Sequence, residues 1–407
     1  MRIAFIVESF PAWSEMCILN QITGLLDLGH DVHIFASIRG SADGRAHPDI
    51  KRYGLLERTH YLYLLGEGRP RRIFRVGRSI IGAVKANPAL VLRILKHCAR
   101  ERTLRPLVFA RPFAGAPRYD IAQCHFGPSG NVGVLLKRFG LACRVVVTFH
   151  AYELSKQWSP GLEAAYKRLA EESDLFTPVS ERWRGRLAAI GCPEDKLMVH
   201  LMGIDLRQFQ FLQRPVGHAL RVLTVARLVE KKGIEYGIRA LALVRHQYPS
   251  AVQSLTIVGD GPLRQRLEVL VESLRLRDCI HFTGWLGQPE VRRCMYQSDV
   301  MLLPSVTASD GDQEGIPVSL MEAMATGMPV VSTWHSGIPE LVGDGETGFL
   351  APERDVEALG GCLKRFIDQP LLLASMGRAG RRFVEDRHDI AKLNHRLVSI
   401  YERVLAG

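Results

Sequence analysis

The chain has 407 residues and a formal net charge of +11 at pH 7, with 47% apolar and 23% charged residues. This length exceeds one ordinary hydrophobic core and predicts two domains, and the composition is that of a soluble globular protein. No apolar run approaches the ~20 residues that span a bilayer, and the eight cysteines stand singly, so neither a zinc site nor a disulfide framework is predicted and a reducing cytosol fits.

Short apolar runs alternate with amphipathic segments along the whole chain. The strands expected in the first half are Ile3–Val7, Asp31–Ala36, Tyr61–Leu64, Ile121–Cys124, Val145–Phe149 and Phe176–Val179. Those expected in the second half are Arg221–Ala226, Ser254–Val258, Ile280–Phe282, Val300–Leu303 and Val330–Ser332. The helices expected between them include Met16–Leu28, Ile234–Gln247 and Arg264–Leu274. Several strands are apolar throughout, as in parallel sheets covered on both faces, so the pattern predicts two doubly wound α/β domains.

The domain boundary is expected within 205–219, a polar stretch without periodicity that contains Pro215 and Gly217. We assign 1–205 to an amino-terminal domain and 206–387 to a carboxy-terminal domain. The closing amphipathic segment 388–407 is expected to be a helix that packs on either domain, and we favour the first. Ligands of open α/β sheets bind at the carboxyl ends of the strands, which predicts a site in the cleft between the domains.

Positive charge is concentrated between Arg69 and Arg118, where thirteen Lys or Arg accompany one acid, Glu101. Apolar clusters such as Ile80–Ile81 predict that this segment forms amphipathic helices. A basic amphipathic patch favours an anionic membrane surface, or an acidic or diphosphate-bearing substrate. Aromatic residues are sparse there and no nucleic-acid motif occurs, so we predict no nucleic-acid partner. A solvated basic face without a partner remains an alternative.

Two basic residues follow the first expected strand of the second half. Arg227 lies at its carboxyl end, and Lys232 lies at the start of the next helix. Arg can grip a diphosphate through two parallel hydrogen bonds and Lys adds a point charge, so the pair can neutralise a leaving nucleoside diphosphate without a metal. The alternative is an ordinary basic pair on a surface loop. The turn Gly259–Pro262 brings backbone near a ligand, but it lacks the GxGxxG pattern of a dehydrogenase-type dinucleotide site.

Two acids, Glu314 and Glu322, carry the strongest signal. Glu322 falls in a predicted helix, Pro317–Gly327, that contains no Lys or Arg, so its carboxylate has no cation one turn away. Sugar hydroxyls donate hydrogen bonds to carboxylates, Gly315 permits close approach of the main chain to a ligand, and Pro317 suits the first helical position. The amino end of that helix favours a phosphate. The pattern therefore predicts a nucleotide-sugar site, the alternative being a solvated loop acid and a helix acid that reaches water.

Asp310 and Asp312 have the spacing of a carboxylate pair that holds Mg²⁺ or Mn²⁺. A divalent ion there would be redundant, because Arg227 and Lys232 would already neutralise the same phosphates. We therefore predict an acidic loop, with no metal and no other cofactor.

With these residues in place, the second half resembles the retaining GT-B glycosyltransferases of family 4. The runs that carry this resemblance are Ala226–Arg227 with Lys231–Gly233, Gly259–Pro262, Glu314–Pro317 with Glu322–Ala325, Gly327–Ser332, and Gly337–Val342 with Gly345–Leu350. The first half is similar to the exopolysaccharide glycosyltransferases of the colanic-acid and amylovoran type. The matching runs there are Phe10–Glu15 with Ile18–Ile22, His125–Pro128 and Thr148–Glu153. Glu8–Pro11 stands where family members often carry a Gly-Gly turn, and Met16–Cys17 where the subgroup commonly has Thr-Phe.

The resemblance implies a GT-B fold, in which two Rossmann-like domains face each other across a cleft, with 1–205 as the acceptor-side domain and 206–387 as the donor-binding domain. It also implies roles for single residues. Arg227 and Lys232 would hold the donor diphosphate, and Glu322 would bind the ribose hydroxyls. Glu314 would hold the transferred sugar, with His150 near that sugar across the cleft. For His150 the alternative is a satisfied histidine at a strand end. The other donor-side residues are Gly261, Trp285, Leu286, Gly315, Ile316 and Pro317, and the acceptor-side candidates are Ser14, Glu15 and His125.

The resemblance further implies a metal-independent hexosyltransferase that retains anomeric configuration by front-face substitution. It would move a hexose from a UDP- or GDP-linked sugar to a growing exopolysaccharide or lipid-linked oligosaccharide, in the cytoplasm and peripheral on the inner face of the cell membrane. Two alternatives stay open. One is a catalytically idle GT-B-fold subunit that tethers a polysaccharide synthesis complex, and the other is a sugar phosphorylase or epimerase on the same fold.

Overall fold

The computed structural model describes residues 1–12, 16–40, 47–62, 80–155, 161–215, 217 and 219–407. The strands of the first half are β1 (Arg2–Phe10), β2 (Asp31–Arg39), β3 (Thr59–Tyr61), β4 (Tyr119–His125), β5 (Ala142–Phe149) and β6 (Leu175–Pro178). Those of the second half are β7 (Leu220–Val225), β8 (Val252–Val258), β9 (Ile280–Gly284), β10 (Val300–Leu302), β11 (Val330–Thr333) and β12 (Gly348–Ala351).

Each half forms one parallel sheet. The strand order is β3-β2-β1-β4-β5-β6 in the first sheet and β12-β11-β10-β7-β8-β9 in the second. In both sheets the order reverses beside the first strand of the half, at β1–β4 and at β7–β10, which is the switch point where doubly wound sheets open a crevice for ligands. The predicted fold class, two doubly wound α/β domains, is confirmed.

Helices connect the strands. In the first half they are Met16–Asp27, Pro48–Arg52, 80–86, Pro88–Arg100, Ala110–Ala114, Gly127–Arg138, Tyr152–Ser155, Leu162–Glu172 and Glu181–Ala189. In the second half they are Ile234–Gln247, Arg264–Ser273, Gln288–Gln297, Val318–Ala325, Val356–Asp368, Leu371–Arg387 and Ile390–Ala406. Short 3₁₀ turns occur at Arg105–Phe109, Glu194–Lys196, Leu206–Gln208, Glu230–Lys232 and Ile338–Glu340. Among the residues described, no helix is long and apolar enough to cross a membrane.

The apolar strands are buried on both faces, as the sequence predicted. Along β1, Ile3 and Phe5 enter one hydrophobic cluster, whereas Ala4 and Ile6 enter the cluster on the opposite face. All four side chains are fully buried. Side chains on a strand alternate between faces, so an uninterrupted apolar run is what a sheet covered on both sides requires.

The eleven predicted strands are all present, with two differences in detail. The strand expected at Tyr61–Leu64 is Thr59–Tyr61, and 63–64 lie outside the described residues. A twelfth strand, Gly348–Ala351, was not predicted because it is short and begins with glycine. The glycine is needed there, since a Cβ at Gly348 would lie 2.2 Å from the carbonyl oxygen of Val330 on the neighbouring strand.

The chain crosses between the domains twice, and the two crossings run side by side. Ile204 pairs with the second crossing, because its N–H donates to the carbonyl of His388 at 2.9 Å and its carbonyl accepts from the N–H of Ile390 at 3.1 Å. The helix Ile390–Ala406 then packs against the first sheet and against Met16–Asp27. Its Tyr401 hydroxyl donates to Oε1 of the buried Gln123 at 2.8 Å.

The polar stretch 205–219 is anchored more firmly than its composition predicts. Arg214 is 1% exposed and lies inside the second domain. Its guanidinium donates to the carbonyls of Met295 at 2.9 Å, Ser298 at 2.9 Å and Thr326 at 3.1 Å. Burial lowers the pKa of Arg214 to about 10. One planar guanidinium donates to all three carbonyls, which a lysine ammonium in the same place could not do. Position 214 therefore requires arginine, although the sequence around it has no regular pattern.

We predict that Arg214→Lys lowers the free energy of unfolding of the second domain by about 2 kcal/mol, because an ammonium cannot reach all of these carbonyls and leaves buried acceptors unpaired. The measurement is urea denaturation followed by tryptophan fluorescence. Arg207→Lys is the matched control, since the Arg207 side chain is 84% exposed on the same linker. Equal stability of the two variants would contradict the anchoring role.

Candidate active site

Three successive side chains of the turn Glu230–Lys232 bond to the loop 309–314, which we call the acidic loop. Lys232 Nζ lies 2.8 Å from Glu314 Oε1, and Lys231 Nζ lies 3.0 Å from Asp312 Oδ1. The Glu230 carboxylate accepts from the N–H of Ser309 at 2.9 Å and from its hydroxyl at 2.7 Å. The two segments are therefore fixed against each other over the whole length of the loop.

Gly233 explains why the chain can turn here. It has φ +61°, a left-handed conformation, and a Cβ would lie 1.9 Å from the carbonyl oxygen of Pro304. Only glycine allows this close approach, which ends the 3₁₀ turn and begins the helix Ile234–Gln247. Lys232 is thereby placed just before that helix, as predicted.

Glu314 is ionised although it is buried, with 5% of its surface exposed. Burial alone would raise its pKa, but the charges of Lys232 and Lys231 outweigh that effect and lower the pKa below the usual value. A carboxylate paired in this way remains negative at neutral pH. It is available to accept hydrogen bonds from a neutral ligand such as a sugar.

A histidine and its partners fix the backbone of Glu314. The Glu314 N–H donates to His335 Nε2 at 3.1 Å, so His335 carries its proton on Nδ1, which lies 2.6 Å from Glu353 Oε1. The Ser336 hydroxyl donates to the Glu314 carbonyl at 2.6 Å. Sequence reasoning missed these three residues. The one available signal was the position of His335 just after β11, at the carboxyl edge of the sheet.

The loop also touches the first domain. A Cβ at Gly315 would lie 2.7 Å from the carbonyl oxygen of His150, so glycine is required where the two domains meet. The close approach predicted at Gly315 is thus an approach to the other domain's backbone. His150 follows directly after β5 and lies next to the Glu314 loop, and its expected position near the transferred sugar stays a prediction.

Two further contacts join the domains beside this loop. The Glu340 carboxylate accepts from the N–H groups of Glu181 at 2.8 Å and Arg182 at 2.9 Å, the first residues of the helix Glu181–Ala189. The Arg182 guanidinium donates to Gln313 Oε1 at 3.2 Å. An acid at a helix amino terminus is stabilised by the free amides and by the helix dipole.

The helix that carries Glu322 is Val318–Ala325, one residue shorter at its start than predicted. Pro317 was expected at the first helical position. It is instead the N-cap, with an extended ψ of 118°, and the correction follows from its place at the end of the tight Glu314–Pro317 segment. Ile316 beside it is 3% exposed and belongs to the hydrophobic core.

Glu322 is 7% exposed and forms no ion pair within the described part of the chain. Burial raises its pKa to about 7, opposed by a hydrogen bond from the Gln288 side chain and by the charge of Arg292. The cation nearest in effect, Arg292, therefore comes from another helix, Gln288–Gln297, and not from the helix of Glu322 itself. Gln288 follows the loop after β9 and brings Glu322 next to the segment that contains Trp285 and Leu286.

Arg227 lies two residues after β7 and is exposed. The structure records no hydrogen bond or ion pair of its guanidinium with another described residue. The turn Gly259–Pro262 packs on the same strand end, since a Cβ at Gly261 would lie 2.6 Å from the carbonyl of Leu228. Trp285, 44% exposed, follows β9. These residues share one carboxyl edge, because β7, β8 and β9 are adjacent and parallel.

In the first domain, His125 lies behind His150. Its Nδ1 is 3.0 Å from His150 Nε2, its ring stacks on Phe5, and it has no exposed surface. An acceptor cannot touch a side chain so placed, so the choice of His125 as an acceptor-side residue is corrected: burial leaves it in contact with His150 and not with a ligand. The other acceptor-side candidates, Ser14 and Glu15, lie outside the described residues.

The carboxylates Asp310 and Asp312 are engaged with the protein. Asp312 is ion-paired with Lys231, and Asp310 Oδ1 accepts from the N–H of Asp312 at 3.1 Å. Across the ranges given above, no group of three or more His, Cys, Asp or Glu side chains is arranged to hold a metal ion. Metal independence stays a prediction.

The basic segment Arg69–Arg118 is described from residue 80 onward. The helix Pro88–Arg100 buries Leu90, Val91, Ile94 and Cys98 against the first domain. Its outer face carries both apolar and basic side chains. The exposed apolar residues of this helix and its neighbourhood are Ile81, Val84, Leu92, Leu95 and Leu104, and the exposed basic residues include Lys85, Arg93, Lys96, Arg100 and Arg102.

Two Rossmann-like domains that meet at the carboxyl ends of their sheets define the GT-B class of fold. Residues 14–208 match the family described as Glycosyltransferase Family 4, and residues 210–383 match Glycosyl transferases group 1. The chain is 35% identical to the putative colanic acid biosynthesis glycosyltransferase WcaL of Salmonella typhimurium, over 99% of this chain and 100% of that protein.

It is likewise 36% identical to the amylovoran biosynthesis glycosyltransferase AmsK of Erwinia amylovora, over 99% of this chain and 100% of that protein. The structure of Anabaena Alr3699/HepE in complex with UDP has a TM-score of 0.77 at 19% identity, over 99% of this chain and 100% of that one, and shows a shared fold. The chain therefore belongs to the family 4 glycosyltransferases of the GT-B fold, as its motifs indicated.

Proposed function

We propose that this protein is a retaining hexosyltransferase of exopolysaccharide synthesis. It transfers a hexose from a UDP- or GDP-linked sugar to a growing repeat unit on a lipid-linked oligosaccharide, in the cytoplasm at the inner face of the cell membrane. The relatives named for colanic acid and amylovoran biosynthesis support the pathway class, and the UDP bound to Anabaena HepE supports a nucleotide-linked donor.

The observation that carries the proposal is the buried contact between Lys232 and Glu314, opposite His150. A sugar diphosphate has an anionic part and a hydroxyl-bearing part joined by one bond. Lys232 offers charge to the first part, and Glu314 offers hydrogen-bond acceptors to the second. The two groups lie 2.8 Å apart, so one ligand can contact both at the bond that breaks.

In the proposed reaction, the bond between C1 of the hexose and the diphosphate oxygen breaks, and the oxygen keeps the electron pair. The acceptor hydroxyl forms its bond to C1 on the same face, so the configuration is retained, and its proton passes to the leaving diphosphate oxygen. Lys232, Arg227 and the amino end of the helix Val318–Ala325 stabilise the charge that develops on the diphosphate.

The proposed chemistry uses no metal ion. Asp312 already serves as the counter-charge of Lys231, which is 8% exposed, and removing it to a metal would leave a buried ammonium unpaired. The cationic charge needed by the diphosphate is available from Lys232 and Arg227 instead.

The exposed face of the basic segment supports a peripheral membrane contact. Leu92 and Leu95 stand beside Lys96 on the outer surface of Pro88–Arg100, where apolar side chains can enter the headgroup layer while the ammonium meets anionic lipid. A lipid-linked acceptor is presented at such a surface. The same segment lies on the domain assigned to the acceptor side.

We predict that Arg227→Ala and Lys232→Ala each lower kcat by roughly a hundredfold, because each removes charge stabilisation of the leaving diphosphate. Sugar transfer from UDP- and GDP-hexoses is measured with and without EDTA, and chelation is expected to change nothing. Arg277→Ala is the control, since the Arg277 side chain is 78% exposed and precedes β9, at the amino edge of the sheet, opposite the carboxyl edge that carries Arg227. Normal turnover in both Arg227→Ala and Lys232→Ala would overturn the assignment of these residues to the donor diphosphate.

We predict that nucleotide affinity falls as the pH drops below 7. The pKa of Glu322 is about 7, so at pH 7 about half of the unliganded molecules carry a protonated Glu322. Only the ionised carboxylate can accept hydrogen bonds from both ribose hydroxyls. The expected loss is up to about tenfold per pH unit below the pKa. Calorimetric titration with UDP and GDP between pH 6 and pH 8.5 tests this.

Glu322→Gln is the matched control for that titration, because its amide cannot ionise and any pH dependence left in this variant belongs to the nucleotide itself. An identical pH profile in the parent and in Glu322→Gln would show that Glu322 does not bind the ribose.

We predict that the protein sediments with vesicles that contain phosphatidylglycerol and not with phosphatidylcholine alone, with binding that weakens as salt is raised. The double variant Leu92→Asn, Leu95→Asn should lose most of this binding. Val269→Asn is the control, since Val269 is 58% exposed on the second domain. Unchanged sedimentation of the double variant would remove the membrane assignment.

A further inference from the structure

Two histidines of the first domain form a hydrogen-bonded pair beside the proposed donor site. His125 Nδ1 lies 3.0 Å from His150 Nε2. His125 has no exposed surface, and its Nε2 has no hydrogen-bond partner. His150 is partly exposed, and the structure records no partner for its Nδ1 among the described residues.

Both rings are held in place from several sides. His125 stacks on Phe5, with ring centroids 5.4 Å apart, and Phe126 lies 4.6 Å from the His150 ring. The backbone N–H of His150 donates to Glu153 Oε1 at 2.8 Å. The contact between the two imidazoles is therefore a fixed feature of the fold.

Both rings are neutral at pH 7, since burial lowers the pKa of His150 to about 4 and holds the pKa of His125 well below its usual value. Each ring then carries a single proton, and one of these lies between the two nitrogens. This shared proton is bonded either to His150 Nε2 or to His125 Nδ1. If His150 donated through Nε2, His125 would carry its own proton on Nε2, a buried N–H with no acceptor.

If His125 donates through Nδ1, its Nε2 is a bare lone pair. Unpaired N–H groups in protein interiors are rarer than unpaired acceptors, so the second arrangement is the favoured one. It places the proton of His150 on Nδ1, the nitrogen that the protein leaves without a partner. His150 is then a hydrogen-bond donor toward the cleft and has no lone pair there to act as a base.

We propose that His125 is a positioning residue that holds His150 in the Nδ1–H tautomer, so that a neutral imidazole donates a hydrogen bond to an oxygen of the bound donor. This inference rests on the proposed function. The Glu314 carboxylate across the cleft accepts hydrogen bonds and His150 supplies one, so the two residues present opposite hydrogen-bonding character to a sugar.

The test compares the parent with His125→Leu and His125→Asn. The ring nitrogens of His150 are observed by ¹⁵N NMR of histidine-labelled protein, with the signals assigned from a His150→Gln spectrum. The parent is expected to show a protonated Nδ1 and an unprotonated Nε2. His125→Leu removes the donor, so the Nδ1–H population should fall and kcat should drop by about tenfold, the effect of losing one neutral hydrogen bond, with the KM for acceptor unchanged.

His125→Asn can donate from its amide at the position of the lost Nδ1, and melting temperatures of both variants show that they are folded. The expected result is that kcat follows the Nδ1–H population across the three proteins. An Nε2–H tautomer in the parent, or any variant in which kcat and tautomer change independently, overturns the proposal. The tautomer is measured by NMR in the absence of substrate. If the protein failed to bind a nucleotide, the proposed function would be wrong, but the tautomer measurement would still test the role of His125.

Discussion

The site depends on one buried ion pair, Lys232 with Glu314. Removing two charges from water is costly, and an ion pair of this kind persists only where geometry and neighbouring hydrogen bonds compensate. Here the compensation is local. Lys231, one residue before Lys232, and Asp312, two residues before Glu314, form a second pair, and His335 accepts from the Glu314 backbone. The acidic loop is therefore rigid before any ligand arrives, as a site that stabilises a charged transition state requires.

The same loop couples the donor site to the arrangement of the domains. Gly315 meets the His150 carbonyl, and Glu340 caps the helix Glu181–Ala189 of the first domain. If the domains separated, His150 would leave the Glu314 loop, and the amides of Glu181 and Arg182 would lose their carboxylate acceptor. In the proposed function, the contacts of Glu314 and His150 with the sugar therefore require the two domains to be together.

The sequence was sufficient for the fold because β1, β7 and their neighbours are apolar runs that only a doubly covered sheet can bury. It also singled out Lys232, just before a helix, and Glu314, in the loop before the helix Val318–Ala325, and the structure brings these two side chains together, although their roles stay predictions. It was insufficient where long-range packing decides. Nothing near Arg214 indicates its buried carbonyl partners, which are more than eighty residues away. The burial of His125 and the hydrogen bond from the Glu314 backbone to His335 likewise depend on contacts between distant segments, which the amino-acid sequence alone does not reveal.

The two glutamates show how one residue type acquires two behaviours. Glu314 has two lysines beside it, and its pKa is lowered. Glu322 lies eight residues later in a helix with no such partner, and burial raises its pKa to about 7. The first is ionised at neutral pH, whereas the second is close to its midpoint of ionisation. If Glu322 binds the ribose as proposed, the ribose hydroxyls donate hydrogen bonds to its ionised form, so nucleotide binding and the ionisation of Glu322 favour each other.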